Sequence, residues 1–316
     1  MVESKFFNRK IFIKKIFLAS ISIPLLNSFS LLNKKTRTKR ITILHTNDIH
    51  SHIDSFPNNH SRYPGMGGMR RVASLVKKIR IKEKNVILID AGDVFQGTPY
   101  FNKFKGSLEL KIMSSMGYIA STMGNHDFDN GINGFKEVLH HANFPFICSN
   151  YEFFDSEMIK KTRKYLVREI DGIKIGFFGL GIELEGLVGK EYYGETKYLD
   201  PLSTSNYWSN YLKNKEKCDL VICISHLGHK YKSDKISDLK LARLSKNIDI
   251  IIGGHTHTFL EKAKVIKNIE NKNVIVNQAG WGALALGRID LELSKNNVKS
   301  NSLSVNSISK KNYAKI

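Results

Sequence analysis

The chain has 316 residues, 41% of them hydrophobic and 25% charged. That balance excludes a disordered chain and allows one or two domains with a full core. The formal charge of +20 splits into ten Lys/Arg against one Glu in residues 1–40, a net +9, and +11 spread over the remainder as in "KNKEK" at 213–217. With no basic patch interleaved with aromatics, no nucleic-acid polymer is expected as a partner, although a positive field favours a phosphorylated substrate.

In chain order, "NRKIFIKKIFLASISIPLLNSFSLL" is a basic segment followed by a short apolar run, broken by Pro24 and Asn27. It reads as an export signal to the periplasm or cell envelope, with an uncleaved membrane anchor as the alternative. Arg9-Lys10-x-Phe12-x-Lys14 resembles a twin-arginine signal whose second arginine is lysine. Residues 1–40 are therefore set apart as an address, and 41–316 as one domain.

"RITILHTNDIH" reads as a strand with a polar end. "GGMRRVASLVKKIRIKEK" reads as a helix with Val72, Leu75, Val76 and Ile79 on one face. "NVILIDAGD" is a nearly continuous apolar strand. A helix follows at "SLELKIMSSMG", a strand and loop at "YIASTMGNHDFD", a helix at "GINGFKEVLHHA" and a strand at "FPFICSN". "YLVREIDGIKIGFFGLG" is two strands around Asp171-Gly172, a two-residue hairpin signal. "NYWSNYLKN" reads as a polar segment. Then come a strand at "DLVICISHLG", a helix at "DLKLARLSKN" and a strand at "IDIIIGGHTHT". "NVIVNQAGWGALALGRIDLELS" alternates like paired strands. Continuous apolar strands separated by helices imply an α/β fold of buried sheets covered by helices. The three cysteines, Cys148, Cys218 and Cys223, are too few and too odd for a disulfide framework and read as buried inert thiols.

Several strands end in a residue able to bind a metal: Asp48 and His50, Asp93, Asn125, His226, and His255 with His257. In α/β sheets such ends converge on one crevice. A single histidine there is ordinary, but seven candidates at successive strand ends are not. His45 reads as core or as a neighbour of the ligands, His52, His60 and His229 as surface, and Gly67-Gly68 as close packing. Asp127 is assigned no catalytic role.

"DIH", "GDVFQG", "GNHDFD", "SHLG" and "GGHTHT", in this order, resemble the calcineurin-like metallophosphoesterases. "ILHTNDIHSH" and "GNHDFD" narrow the resemblance to the N-terminal catalytic domain of the bacterial 5'-nucleotidase family. It implies a four-layer α/β/β/α sandwich of two mixed sheets flanked by helices. It also implies two divalent ions, Zn, Mn, Fe or Co, of which Asp48, His50 and His257 hold one and Asn125, His226 and His255 the other, bridged by Asp93. Mixed nitrogen and oxygen ligation suits such ions. Paired ions clamp a phosphate and activate a water. His126, oriented by Asp129, would stabilise the phosphate or protonate the leaving group, with Asn125 and His126 touching substrate.

The implied function is hydrolysis of nucleotide phosphomonoesters, and of cyclic nucleotides as a further substrate class. The alternatives are hydrolysis of a sulfur-ester or a sugar-nucleotide pyrophosphate on the same fold, and a non-catalytic envelope protein, against which the intact ligand set argues. Full-length relatives carry a second domain that supplies an aromatic stack for the base. The sequence here stops at Ile316, so either a separate substrate-binding chain supplies that domain or this one acts alone on a broader set of esters. No aromatic residue is tied to the motifs strongly enough to serve as a base platform. The loop from His52 to Gly67 and the segment from Glu183 to Trp208 are where one would be sought.

Overall fold

The computed structural model describes residues 39–294 and the backbone of Asn297–Ser307; the expected export segment lies outside them. Of the two bodies into which the chain divides, the larger holds, among the described residues, 40–292 and 299–307. The larger body carries every residue of the candidate site.

Its strands, in chain order, are β1 (Lys39–Thr46), β2 (Val86–Asp90), β3 (Ala120–Ser121), β4 (Phe146–Ile147), β5 (Tyr151–Glu152), β6 (Thr162–Arg163), β7 (Tyr165–Ile170), β8 (Ile173–Leu180), β9 (Lys197–Tyr198), β10 (Leu220–Ser225), β11 (Ile250–Gly253), β12 (Lys264–Lys267), β13 (Asn273–Asn277), β14 (Ala285–Ser294) and β15 (Asn297–Ser307). One sheet runs β15-β14-β1-β2-β3-β4-β6, a second β12-β13-β11-β10-β8-β7, and β5 pairs with β9 alone. From β1 to β6 the first sheet is parallel. In the second, β13, β11, β10 and β8 are parallel, with antiparallel β12 and β7 on the edges.

The continuous apolar runs follow from burial on both faces. Leu44 and Leu88 pack with Val72, Leu75, Val76 and Ile79 of the helix Met69–Lys82. Ile43, Ile87 and Ile89 alternate to the opposite face and are also fully buried. In the second sheet Val221 and Cys223 pack with Leu212 of the helix Pro201–Asn214 and Leu241 of the helix Asp238–Leu244, while Ile222 and Ile224 are buried on the other side. The sheets meet near β4 and β8, where Ser149 N–H donates to Gly179 O at 2.9 Å. The result is the expected layering of helices, two mixed sheets and helices. All three cysteines are free and buried, and burial pushes the Cys148 thiol up to about 12.

Three local readings are corrected or sharpened. Asp171 and Gly172 turn the β7–β8 hairpin with φ of 53° and 69°, as a type I′ turn requires. "NYWSNYLKN", read as a polar segment, is the end of the helix Pro201–Asn214. Asp200 caps it, accepting from Ser203 N–H at 2.7 Å, and Pro201 opens it. Its buried stripe is mostly small and polar (Thr204, Ser205, Ser209, then Leu212), so it carries no apolar period. The tail strands β13 and β14 do not pair with each other. β13 lies beside β11 in the second sheet and β14 beside β1 in the first, so residues 278–284 cross between sheets. Alternation reports that a strand is half-buried, not which neighbour it takes.

Candidate metal centre

β1 and β2 run side by side to Thr46 and Asp90. Beyond that point the two loops stay in register. Asp48 N–H donates to Gly92 O at 2.9 Å, His50 N–H to Asp93 O at 3.0 Å and Ser51 N–H to Val94 O at 2.9 Å. Asp48, His50, Asp93, His255 and His257 all have left-handed backbone, φ between 49° and 73°. Such conformations cost a side-chain-bearing residue about 1–3 kcal/mol and persist only where surroundings enforce them. Five of the seven candidate ligands are held this way, each turned sharply out of its strand direction.

Asp127 enforces the turn at Asp93. Fully buried, it accepts N–H groups from Asp93 (2.9 Å), Val94 (3.0 Å), Phe95 (3.3 Å) and Gly124 (2.8 Å). Burial and the neighbouring Asp93 push its carboxyl up to about 7, and four donors with no acceptor among them hold the ionised form against that. The sequence reading gave this residue no role in catalysis; it clamps the loop after β2 to the loop after β3. Gly124 supplies clearance rather than unusual backbone: a Cβ there would lie 2.2 Å from Asp93 Oδ1 and 2.5 Å from His226 Nε2.

All seven candidate ligands meet. Asp48, His50 and His257 form one cluster and Asp93, His226 and His255 the other. His257 Nε2 is 3.3 Å from Asp48 Oδ1, and His50 Nε2 is 4.0 Å from the same oxygen. Asp93 Oδ2 is 3.0 Å from His226 Nε2 and 3.9 Å from His50 Nε2, so it faces both clusters. Asn125 Oδ1 lies 2.9 Å from His255 Nδ1.

The donor set fits divalent cations. His50 Nδ1 lies 3.3 Å from Phe95 O and His226 Nδ1 2.6 Å from Ala91 O. Those carbonyls can only accept, so each ring's Nδ1 carries a proton, which leaves Nε2 as the atom able to ligate once it is unprotonated. His50 Nε2 faces His257 Nε2 at 3.1 Å. His226 Nε2 is buried without an aligned hydrogen-bond partner. In the protein alone, positive charge for the two buried carboxylates falls to His226. Burial opposes its protonation, but Asp93 and Asp48 push its pKa up to about 10. Asp93 is held low, its burial outweighed by His226, His50 and His126. Asp48 is supported from behind, its Oδ2 accepting from Asn47 Nδ2 at 2.6 Å and both oxygens from His255 N–H at 3.0 Å.

His126 stands beside this centre, its ring centroid 5.2 Å from that of His50. Its backbone N–H donates to Asp93 Oδ1 at 2.8 Å, and its Nδ1 lies 2.8 Å from Asp129 Oδ2. The hydrogen bond to Asp129 raises its pKa. Half-buried, it opens with His50 and His257 onto a cavity of about 1000 Å³.

The other histidines sort differently. His45 is fully buried with neither ring nitrogen bonded, and burial pushes its pKa down to about 3, which makes it a neutral core residue. His52, His60 and His229 reach the surface only in part. Each is half-buried, and His52 stacks on Phe56 at 4.4 Å. Gly67 and Gly68 serve close packing, as expected; a Cβ on Gly68 would meet the Asp54 backbone at 2.7 Å. The sequence reading also missed Trp281, whose ring stacks on His257 at 5.4 Å and 8°. The signal was present in "QAGWGALALG", but the sheet-to-sheet crossing that delivers it was not.

Fold and site geometry together are those of a metallophosphoesterase fold. The chain belongs to the calcineurin-like phosphoesterase family, whose profile matches residues 41–259. It is 31% identical over 293 residues to the trifunctional nucleotide phosphoesterase protein YfkN of Bacillus subtilis, covering 82% of this chain and 18% of that one. It is 33% identical over 245 residues to the 5'-nucleotidase of Bos taurus, covering 73% and 40%. The structure of the NAD nucleotidase of Haemophilus influenzae matches with a TM-score of 0.76 at 25% identity, over 86% of this chain and 57% of that one. The chain thus spans less than half the length of these two curated relatives.

Proposed function

We propose that this chain hydrolyses nucleotide phosphomonoesters, with cyclic nucleotides as a further substrate class, at a centre for two divalent ions. Asp48, His50 and His257 would hold one ion, Asn125, His226 and His255 the other, with Asp93 shared. The observation that carries this reading is the convergence of seven ligand-type residues beside the His126–Asp129 pair, with His50, His257 and His126 lining one cavity. Nucleotides are named because the relatives are nucleotide phosphoesterases and nucleotidases by name.

Bound there, the ions supply charge neutralisation for the phosphate and a more acidic water. The protein's part is positional. The Phe95 and Ala91 carbonyls fix the tautomers of His50 and His226. Asp127 fixes the backbone of Asp93. Asp129 orients His126, raises its pKa and leaves its Nε2 to meet a phosphoryl oxygen or the departing alkoxide. Export rests on residues 8–32; among the described residues no helix is long and apolar enough to cross a membrane.

Phosphate release should be assayed with the Zn²⁺- or Mn²⁺-loaded chain on AMP, GMP, UMP, a cyclic nucleotide and glycerol phosphate. Turnover of nucleotides with kcat/KM within about tenfold of one another is expected, because the candidate ligands and His126 address the phosphate and not the base. A separately encoded substrate-binding chain, where one exists, should lower KM and sharpen the ranking. No phosphate release from any ester, with turnover of a thiosulfate ester or a sugar-nucleotide pyrophosphate instead, would overturn the reading.

A further inference from the structure

The cavity beside the candidate metal centre does not end at the phosphate position. Its lining joins His50, His126 and His257 to two aromatic groups. Trp281 and Phe56 form one wall, with His52 stacked on Phe56. Tyr100 and Phe104, stacked at 6.4 Å and 18°, form the other.

We propose that this cleft is a ring subsite for the planar base carried by the ester's leaving alcohol, as in a nucleoside, so that this chain itself holds a base platform. The proposal rests on the phosphoester reading above and extends it from the phosphate to the group behind it.

Three features support it. The volume, about 1000 Å³, is at the upper end of small-molecule sites, commonly ~300–1,000 Å³. The walls are preorganised. Trp281 is stacked on His257 and has Phe56 and His52 at near right angles, with centroids 5.5 and 5.4 Å away. Tyr100 is fixed by donating its hydroxyl hydrogen to Asp54, which also pairs with Arg70 at 3.2 Å. Aromatic residues that lose little freedom on binding make effective platforms. Finally, the wall is joined to the chemistry. Trp281 touches a candidate ligand directly, so a ring against this wall lies beside the phosphate position. Few charged groups line the aromatic part, Asp54 and Lys103 among them. The subsite therefore distinguishes planar rings from aliphatic groups better than one base from another.

The sequence has two tryptophans, Trp208 and Trp281. Trp208 sits apart, packed among Tyr165, Tyr207 and Tyr211. In the Trp208→Phe variant every indole signal therefore comes from Trp281. Titration with adenosine, which carries no phosphate, should quench that signal saturably, and ribose should not. The reciprocal variant Trp281→Phe, which retains Trp208, should show no quenching. Adding Tyr100→Ala or Phe104→Ala to the Trp208→Phe chain should weaken adenosine binding about 5- to 100-fold, the range for one lost stacking partner. Absence of quenching, equal quenching by ribose, or an unchanged dissociation constant in both wall variants overturns the subsite, whatever the hydrolysis assay shows. Saturable quenching without hydrolysis of any phosphate ester overturns the phosphoester reading and leaves the ring site standing.

Discussion

Replacing Asp127 by Asn exchanges one oxygen for an amide nitrogen and leaves the volume unchanged, so its effect isolates hydrogen bonding from packing. The carboxylate serves four backbone donors, Asp93 and Gly124 at Oδ2 and Val94 and Phe95 at Oδ1. An asparagine offers one oxygen. Its NH₂ group would confront two N–H donors with no acceptor between them. Each buried donor left unpaired costs about 1–3 kcal/mol, so the variant should lose about 2–6 kcal/mol. At about 2–4 °C per kcal/mol for a large domain, the melting temperature should fall by about 4–24 °C.

The same loop presents Asp93, so metal retention should weaken about 10- to 100-fold, as for other groups that orient ligands. Thermal unfolding followed by circular dichroism, with elemental analysis of the dialysed protein, reads both effects. The measurement belongs at pH 8, above the value of about 7 to which burial and Asp93 push the carboxyl. Asp129→Asn is the control. That carboxylate is 28% exposed and its bond goes to His126, so the melting point should barely move. If Asp127→Asn melts within a degree of the parent and keeps its metal, the residue is not the clamp described here.

Protein purified without chelator should approach two metal equivalents per chain, and Asp93→Asn should weaken both sites; loss of a single ion would refute the shared ligand. His126→Asn should keep its metal and lose about 10²–10⁴ in kcat, with a smaller loss for Asp129→Asn. That defect should shrink on nitrophenyl phosphate if His126 protonates the leaving group, and equal defects on good and poor leaving groups would restrict it to stabilising phosphoryl charge. His226, raised from 6.5 to about 10 in the metal-free protein, contributes stability that is fully present below 6.5 and lost as pH rises towards 10. Metal must displace its proton, so calorimetry at pH 8 in buffers of different ionisation enthalpy should show about one proton released at that site. A binding enthalpy independent of buffer would contradict the assignment.

The candidate ligands are legible in the sequence for a mechanical reason. A parallel sheet brings the carboxyl ends of its strands to one edge, so a polar residue that ends an apolar run is placed by the run before it. Asp48 after β1, Asp93 after β2 and His226 after β10 need only that local rule. Asp127 is not legible in this way. Its function is to bond amides at positions 93, 94, 95 and 124, and nothing in "HDF" announces acceptors for a loop more than thirty residues earlier. The left-handed backbone of the ligands is hidden for a related reason, since Asp and His carry no glycine-like mark of it. Trp281 is the hardest case. The strand period on either side of it is visible, but period 2 is the same whether β14 pairs with β13 or crosses to β1. Only the crossing puts the indole over His257. An aromatic wall made by residues 52–60, 100–104 and 281 depends on three such non-local placements at once. Specificity is therefore less legible than chemistry: metal ligands follow strand ends, whereas the surface that receives the rest of a substrate follows from how separate loops pack.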